Sequence, residues 1–201
     1  PNTVAGAVRA ALAMAPLILN VHAAGGKAMM MAAAEAAAEE AEKRNLPRPL
    51  ILGVTVLTSL DAADLADTGV NASPQDQVLR LADLAQSAGL GGVVCSGAEI
   101  EPLRAACGLD FKLLVPGIRP LWAAAGDQKR VLTPSDAVAL GADYLVIAPP
   151  DLLDAGRSLV VSRTFSKTWA MAGLRLGYLL GPPWCTAELD KVTLPYHVDS
   201  L

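Results

Sequence analysis

No Cys-x-x-C spacing occurs in this sequence, and its three cysteines, Cys95, Cys107 and Cys185, are odd in number. Neither a disulfide framework nor a structural zinc site is therefore expected, and the thiols fit a reducing compartment. Long apolar runs are also missing. Hydrophobic residues make up 53% of the chain and its mean hydropathy is +0.39, yet the apolar stretch from Ala10 to Leu19 is interrupted by Pro16 and stops at Asn20. A membrane-crossing helix needs about 18 to 20 apolar residues, so no membrane span is expected. No basic segment followed by an apolar core and a small-residue cleavage site opens the chain, which excludes a secretory signal in these residues and makes the cytoplasm the expected location. Basic runs interleaved with aromatics are absent too, and 16 Lys and Arg against 20 Asp and Glu give a net charge of -4, which argues against nucleic acid as a partner. The chain opens on Pro1 rather than Met, which reads as an excerpt, a processed product or a truncated gene with sequence missing upstream.

What is present is alternation. An Ala-rich helix-favouring stretch at 4–14 ends before Pro16, and a β-type run follows at 18–24 and is broken by Gly25 and Gly26. A stretch free of Pro and Gly, 27–45, predicts a long helix whose Glu-rich face is solvated. The spacing then predicts strands at 50–57, 92–96, 111–116 and 143–148, with helices at 74–88, 98–107 and 135–140. Five nearly continuous apolar strands separated by helices imply parallel pairing with both sheet faces covered. The architecture is then a doubly wound sheet or a βα barrel, and no G-x-G-x-x-G after a strand favours a dinucleotide fold. A length of 201 residues allows one domain, or one plus a fragment, at roughly 150 residues per domain.

Polar residues cluster where a βα barrel keeps its chemistry, just past the carboxyl ends of the strands: His22, Thr58, Ser96, Arg119 and, further on, Gln128. Thr58 and Ser96 suit helix caps equally well, Thr58 for a helix beginning near Leu60, and His22 fits a structural role better than a catalytic one. The loop 117–128 is the most informative. Arg119 follows Pro116-Gly117, and Gly126, Asp127 and Gln128 add backbone amides and donors that suit a phosphate.

The segments PNTV, NVHAAGG, GVTVLTSL, GGVVCSGAEI, FKLLVPGIRP, AGDQKR and GADYLVI occur in this order, and with them residues 1–148 resemble the carboxyl-terminal five βα units of orotidine 5′-phosphate decarboxylases. The resemblance implies part of a (βα)8 TIM-type barrel, a homodimer, and conversion of orotidine monophosphate to UMP without metal or organic cofactor. In that family an Asp-x-Lys-x-x-Asp array, lying just before Ile-Pro-Asn-Thr, sets a carboxylate against the substrate's own and supplies the lysine that protonates the product carbanion. The present sequence starts at Pro1-Asn2-Thr3, so the array is not among these residues and the isolated chain is expected to be inactive. By position, Thr3 resembles the threonine contributed across the dimer interface, Thr58 the threonine near the pyrimidine, and Arg119 and Gln128 the residues near the phosphate. The family's Ile-Gly-Arg-Pro after the last strand is replaced by Ile147-Ala148-Pro149-Pro150, which removes the phosphate-holding arginine.

From about Asp151 the chain, with SRTFSK at 162–167 and AGLRLGY at 172–178, resembles instead the lysine-bearing segment of PLP-dependent histidinol-phosphate aminotransferases. The resemblance implies a Schiff-base role for Lys167 and cofactor-phosphate contacts for Ser166 and Arg175. The other parts of such a site, an aspartate for the pyridinium, a ring partner and a substrate arginine, are not supplied here. The expectation is therefore a partial barrel, 1–148, with a foreign α/β tail, 149–201, forming strands near 158–163 and 174–180. The alternative functions are an aminotransferase fragment or a recombined, non-catalytic chain.

Overall fold

The computed structural model describes residues 1–118 and 132–147, together with the backbone of two further strands at 161–164 and 177–180. Two compact units, Pro1–Val146 and Ile147–Leu201, divide the chain.

In the first unit helix α1, Asn2–Ala11, tightens into a 3-10 turn at Leu12–Met14 and stops at Ala15, which takes a left-handed φ of 47° just before Pro16. Strand β1, Ile18–His22, leads through a 3-10 turn, Ala23–Gly25, into α2, Lys27–Lys43. Gly26 opens that helix at φ 88°, a conformation that a side chain resists. Strand β2 is Leu50–Val54, followed by α3, Ala62–Asp67, and α4, Pro74–Ser87. Strand β3, Gly92–Val94, precedes α5, Ile100–Cys107, then β4, Lys112–Ile118, α6, Pro134–Leu140, and β5, Tyr144–Ile147.

The five strands lie in the order β1-β2-β3-β4-β5. The pairs β1–β2, β2–β3 and β3–β4 are parallel, with Val21 opposite Gly53, Gly53 opposite Val93, and Val93 opposite Leu113. A doubly wound sheet reverses its strand order at a switch point, whereas a barrel wall adds each strand beside the last. The consecutive order resolves the ambiguity left by spacing alone: this is a barrel wall.

The pleat sorts the strands into two faces. Ile51, Gly53, Thr55, Val93, Cys95, Leu113 and Val115 point to one face and are buried. Helices cover it: a methyl at Gly53 would lie 3.2 Å from Ala85 Cβ on α4. On the opposite face, Asn20 and His22 are exposed and Leu50, Val54, Val94 and Leu114 half-buried, while Leu52 is fully buried over Gly92. At Gly92 any Cβ would collide with the Lys112 carbonyl, so the close approach of β3 to β4 requires glycine.

Helix α2 departs from the expected solvated Glu face. Glu35, Glu39 and Glu42 are exposed, but Glu40 is buried and accepts from Arg44 Nε at 2.6 Å. That bond, with the nearby Lys43 charge, holds its carboxyl below the usual range against the opposing effect of burial. Glu39 reaches Arg9 of α1 at 3.0 Å, which ties the first helix to the second. No helix among the described residues is long and apolar enough to cross a membrane.

In the second unit, β6, Val161–Thr164, and β7, Gly177–Leu180, pair antiparallel, with Val161 opposite Leu180. They fall within a few residues of the strands expected there.

Candidate functional site at the strand carboxyl ends

The strand ends are joined by a row of main-chain bonds that continues the ladder past the last regular residues. Thr55 N–H donates to Val94 O at 3.3 Å, and Cys95 N–H donates to Leu114 O at 3.1 Å. The Thr55 hydroxyl adds a shorter bond to the same Val94 carbonyl, at 2.7 Å, and Thr55 is 5% exposed. Strand β2 therefore ends at Val54 rather than 57, and the chain turns: Leu60 N–H donates to Leu57 O at 3.0 Å, with Thr58 and Ser59 in the turn.

Thr58 is exposed on this turn and does not cap the helix expected near Leu60. That helix, α3, starts at Ala62 and is capped by Asp61, whose carboxylate accepts from Ala63 N at 2.8 Å and Asp64 N at 3.0 Å, while Asp64 accepts from Asp61 N in return. The Asp61 carboxylate, three residues beyond Thr58 and directly before the helix, is the group placed to satisfy the orphan amides. Ser96, by contrast, is a cap. Its hydroxyl accepts from Ala98 N at 3.3 Å, and Glu99 returns to Ser96 N at 2.6 Å. His22 is exposed at the end of β1, in register with Val54. Thr3 is exposed in the first turn of α1, a helix packed on α2, and no hydrogen bond among the described residues joins it to Thr58. Arg119, Gln128, Ser166, Lys167 and Arg175 lie outside the described residues.

Cys95 closes the buried side of the β3 end. Burial, with the Glu99 charge nearby, pushes its thiol up to about 12. A buried thiol held largely protonated suits packing rather than nucleophilic chemistry. With an aromatic disulfide reagent, Cys107 is expected to be modified ahead of Cys95, whose modification should track global unfolding in urea. Fast modification of Cys95 in the folded chain would contradict this. Among the described residues no cluster of His, Cys, Asp and Glu is arranged to hold a metal ion.

The opposite, amino-terminal end of the strands carries a polar network that sequence reading missed. Arg104 of α5 donates to the carbonyls of Gly141 at 2.8 and 2.6 Å, Gly108 at 3.0 Å and Phe111 at 2.6 Å, and to Asp143. Asp143 also accepts from Lys112 Nζ at 3.1 Å and Leu113 N at 2.8 Å. Burial raises the Asp143 carboxyl, but these donors outweigh it and hold the group below the ordinary aspartate value. In a βα barrel this end serves stability, and chemistry stays at the other. Thr55 was missed as well, although a polar β-branched residue inside the apolar run LILGVTVL marks it.

Comparison with known proteins agrees with the geometry. Residues 1–150 match the Orotidine 5′-phosphate decarboxylase / HUMPS family. The orotidine 5′-phosphate decarboxylase of Rhodospirillum rubrum is 58% identical over 150 residues, covering 75% of this chain and 61% of that protein. That of Paramagnetospirillum magneticum is 53% identical over 150 residues, covering 75% and 64%. The chain thus spans a little over three fifths of the length of these curated relatives. The crystal structure of the Lactobacillus acidophilus orotidine 5′-phosphate decarboxylase superposes with a TM-score of 0.64 at 32% identity, over 73% of this chain and 60% of that one. Residues 130–201 separately match the Aminotransferase class I and II family. With a family match over three quarters of its length and a consecutive barrel wall to match, the chain belongs to the orotidine 5′-phosphate decarboxylase / HUMPS family.

Proposed function

We propose that residues 1–148 are the ligand-holding, carboxyl-terminal part of an orotidine 5′-phosphate decarboxylase barrel, acting in pyrimidine biosynthesis in the cytoplasm. The observation that carries this reading is the 58% identity over 150 residues. In it, Thr58 faces the pyrimidine, Arg119 and Gln128 hold the phosphate, and Thr3 reaches the site of a second copy in a homodimer. No cofactor takes part. Decarboxylation breaks the bond between the pyrimidine ring and its carboxylate, releases carbon dioxide, and returns a proton to the ring carbon. The lysine for that proton belongs to the Asp-x-Lys-x-x-Asp array, which does not occur in residues 1–201. The reading therefore expects these residues to bind a nucleotide without turning over orotidine monophosphate. Calorimetry with UMP tests it. Heat that disappears in Arg119→Ala supports the phosphate role, and equal binding by that variant removes Arg119 from the site.

The match of residues 130–201 to aminotransferases favours a second reading, in which 149–201 is borrowed from a PLP enzyme and Lys167 is its Schiff-base lysine, with Ser166 and Arg175 at the cofactor phosphate. A visible absorption band on adding PLP, removed by borohydride and lost in Lys167→Ala, is the expected signature. A band retained by the variant would sink that reading.

A further inference from the structure

We infer that Thr55 is the positioning residue for the Thr58 turn, setting nucleotide affinity without touching the ligand. The inference rests on the reading that this turn faces a pyrimidine nucleotide. Between β2 and α3 the chain is anchored twice. At its far end the Asp61 carboxylate fixes the first turn of α3 through two amides at 2.8 and 3.0 Å. At its near end the Thr55 amide reaches Val94 O only at 3.3 Å, a long bond, and the hydroxyl at 2.7 Å supplies the firm one. The five residues between, Val56 to Leu60, are closed on themselves by the Leu60 to Leu57 bond at 3.0 Å. Thr58 is thus held in a small turn slung between two anchors, one of which pairs a long amide bond with a short hydroxyl bond to the same carbonyl.

The position of that hydroxyl favours a role beyond packing. Thr55 sits on the helix-covered face, in line with Ile51 and Gly53, where valine would fill the same volume. A threonine there places a buried polar group among apolar neighbours, which is favourable only because Val94 O accepts from it. Valine would keep the shape and leave the 3.3 Å amide bond alone to register β2 against β3 at the point where the turn departs. Shifts of about 1 Å in a binding group are enough to lower affinity or rate strongly.

Thr55→Val and Thr55→Ser separate positioning from packing. In Thr55→Val, UMP affinity is expected to fall about 10-fold by calorimetry, and amide exchange at 56–60 to quicken while that of α2 is unchanged. Thr55→Ser, which keeps the hydroxyl but loses a methyl, is expected to restore both within about 2-fold, even if its melting temperature falls further. A melting temperature that drops with serine while affinity holds is a pattern that packing alone does not produce. Equal affinity and equal loop exchange in all three chains would overturn the inference. A folded wild-type chain that gives no heat with UMP would instead overturn the ligand reading, and the exchange at 56–60 would then decide whether Thr55 positions the turn. If Thr55→Val does not fold, loss of affinity in Thr55→Ser comparable to Arg119→Ala would count against the hydroxyl as the relevant group.

Discussion

Arg104→Met is expected to destabilise the barrel unit by about 1.5 to 3 kcal/mol, the cost of removing a charged donor from a partly buried hydrogen-bond network. The side chains of Arg104 and Asp143 are only 12% and 22% exposed. Removing the guanidinium takes the donor from the carbonyls of Phe111 and Gly141 and leaves Asp143 with only Lys112 Nζ and Leu113 N. Urea unfolding measures it: with a slope of about 1 to 3 kcal/mol per molar, the midpoint should fall by about 0.5 M or more. Arg9→Met is the control. The Arg9–Glu39 pair is 46% and 66% exposed, and such surface pairs contribute about 1 kcal/mol or less. A midpoint for Arg104→Met as close to wild type as that of Arg9→Met would contradict the account. The same network predicts the sign of an acid effect. Because the Asp143 carboxyl is lowered in the folded chain, its contribution is complete above the unfolded value of about 3.9 and is lost as pH falls through the lower folded value. Asp143→Asn should therefore be less stable than wild type at neutral pH, and the gap between them should narrow below about pH 4.

The second large effect is a gain. Where relatives of this family are expected to carry Gly-Arg, the chain has Ala148-Pro149, and proline brings neither a backbone donor nor a charge. Restoring the pair in Ala148→Gly/Pro149→Arg is expected to tighten UMP binding about 10- to 100-fold, since a hydrogen bond to a charged group contributes about 1.5 to 3 kcal/mol. The gain should shrink with rising salt and be absent for uridine, which has no phosphate. An unchanged affinity would mean that the segment after β5 does not approach the phosphate, and the departure from the family pattern would then be without consequence.

Much of the wall was legible because helix-favouring and strand-favouring runs alternate and Pro16, Gly25-Gly26, Pro47 and Pro49 punctuate them. Boundaries were harder. Strand β2 read as reaching 57 because Thr55, Val56 and Leu57 are all good strand residues, yet pairing stops where the turn begins. Strand β4 continues past Pro116 to Ile118, whose side chain is 1% exposed: burial of that residue outweighs the break that Pro-Gly suggests. A cap role for Thr58 before a helix near Leu60 is one of two readings that the sequence leaves open at that position; the cap is Asp61, which stands with Asp64 at capping-box spacing. The composition of α2 makes Glu40 look solvated like its neighbours, and its burial beside Arg44 comes from packing that leaves no local pattern. The Arg104–Asp143 network spans 39 residues and leaves no local trace. At the candidate site, strand-end position identified the turn bearing Thr58 and the cap at Ser96, while the role of Thr55 emerged only from the register of β2 on β3.

The most direct test of the account is the map of amide chemical-shift changes when UMP is added to the isotopically labelled chain. The account predicts changes at the strand carboxyl ends, at 22–26, 55–60 and 95–97, and in the loop holding Arg119 and Gln128, with Gly108, Phe111 and Asp143 at the opposite end unmoved. A folded chain whose shifts do not change, or change only around the Arg104 network, would contradict it.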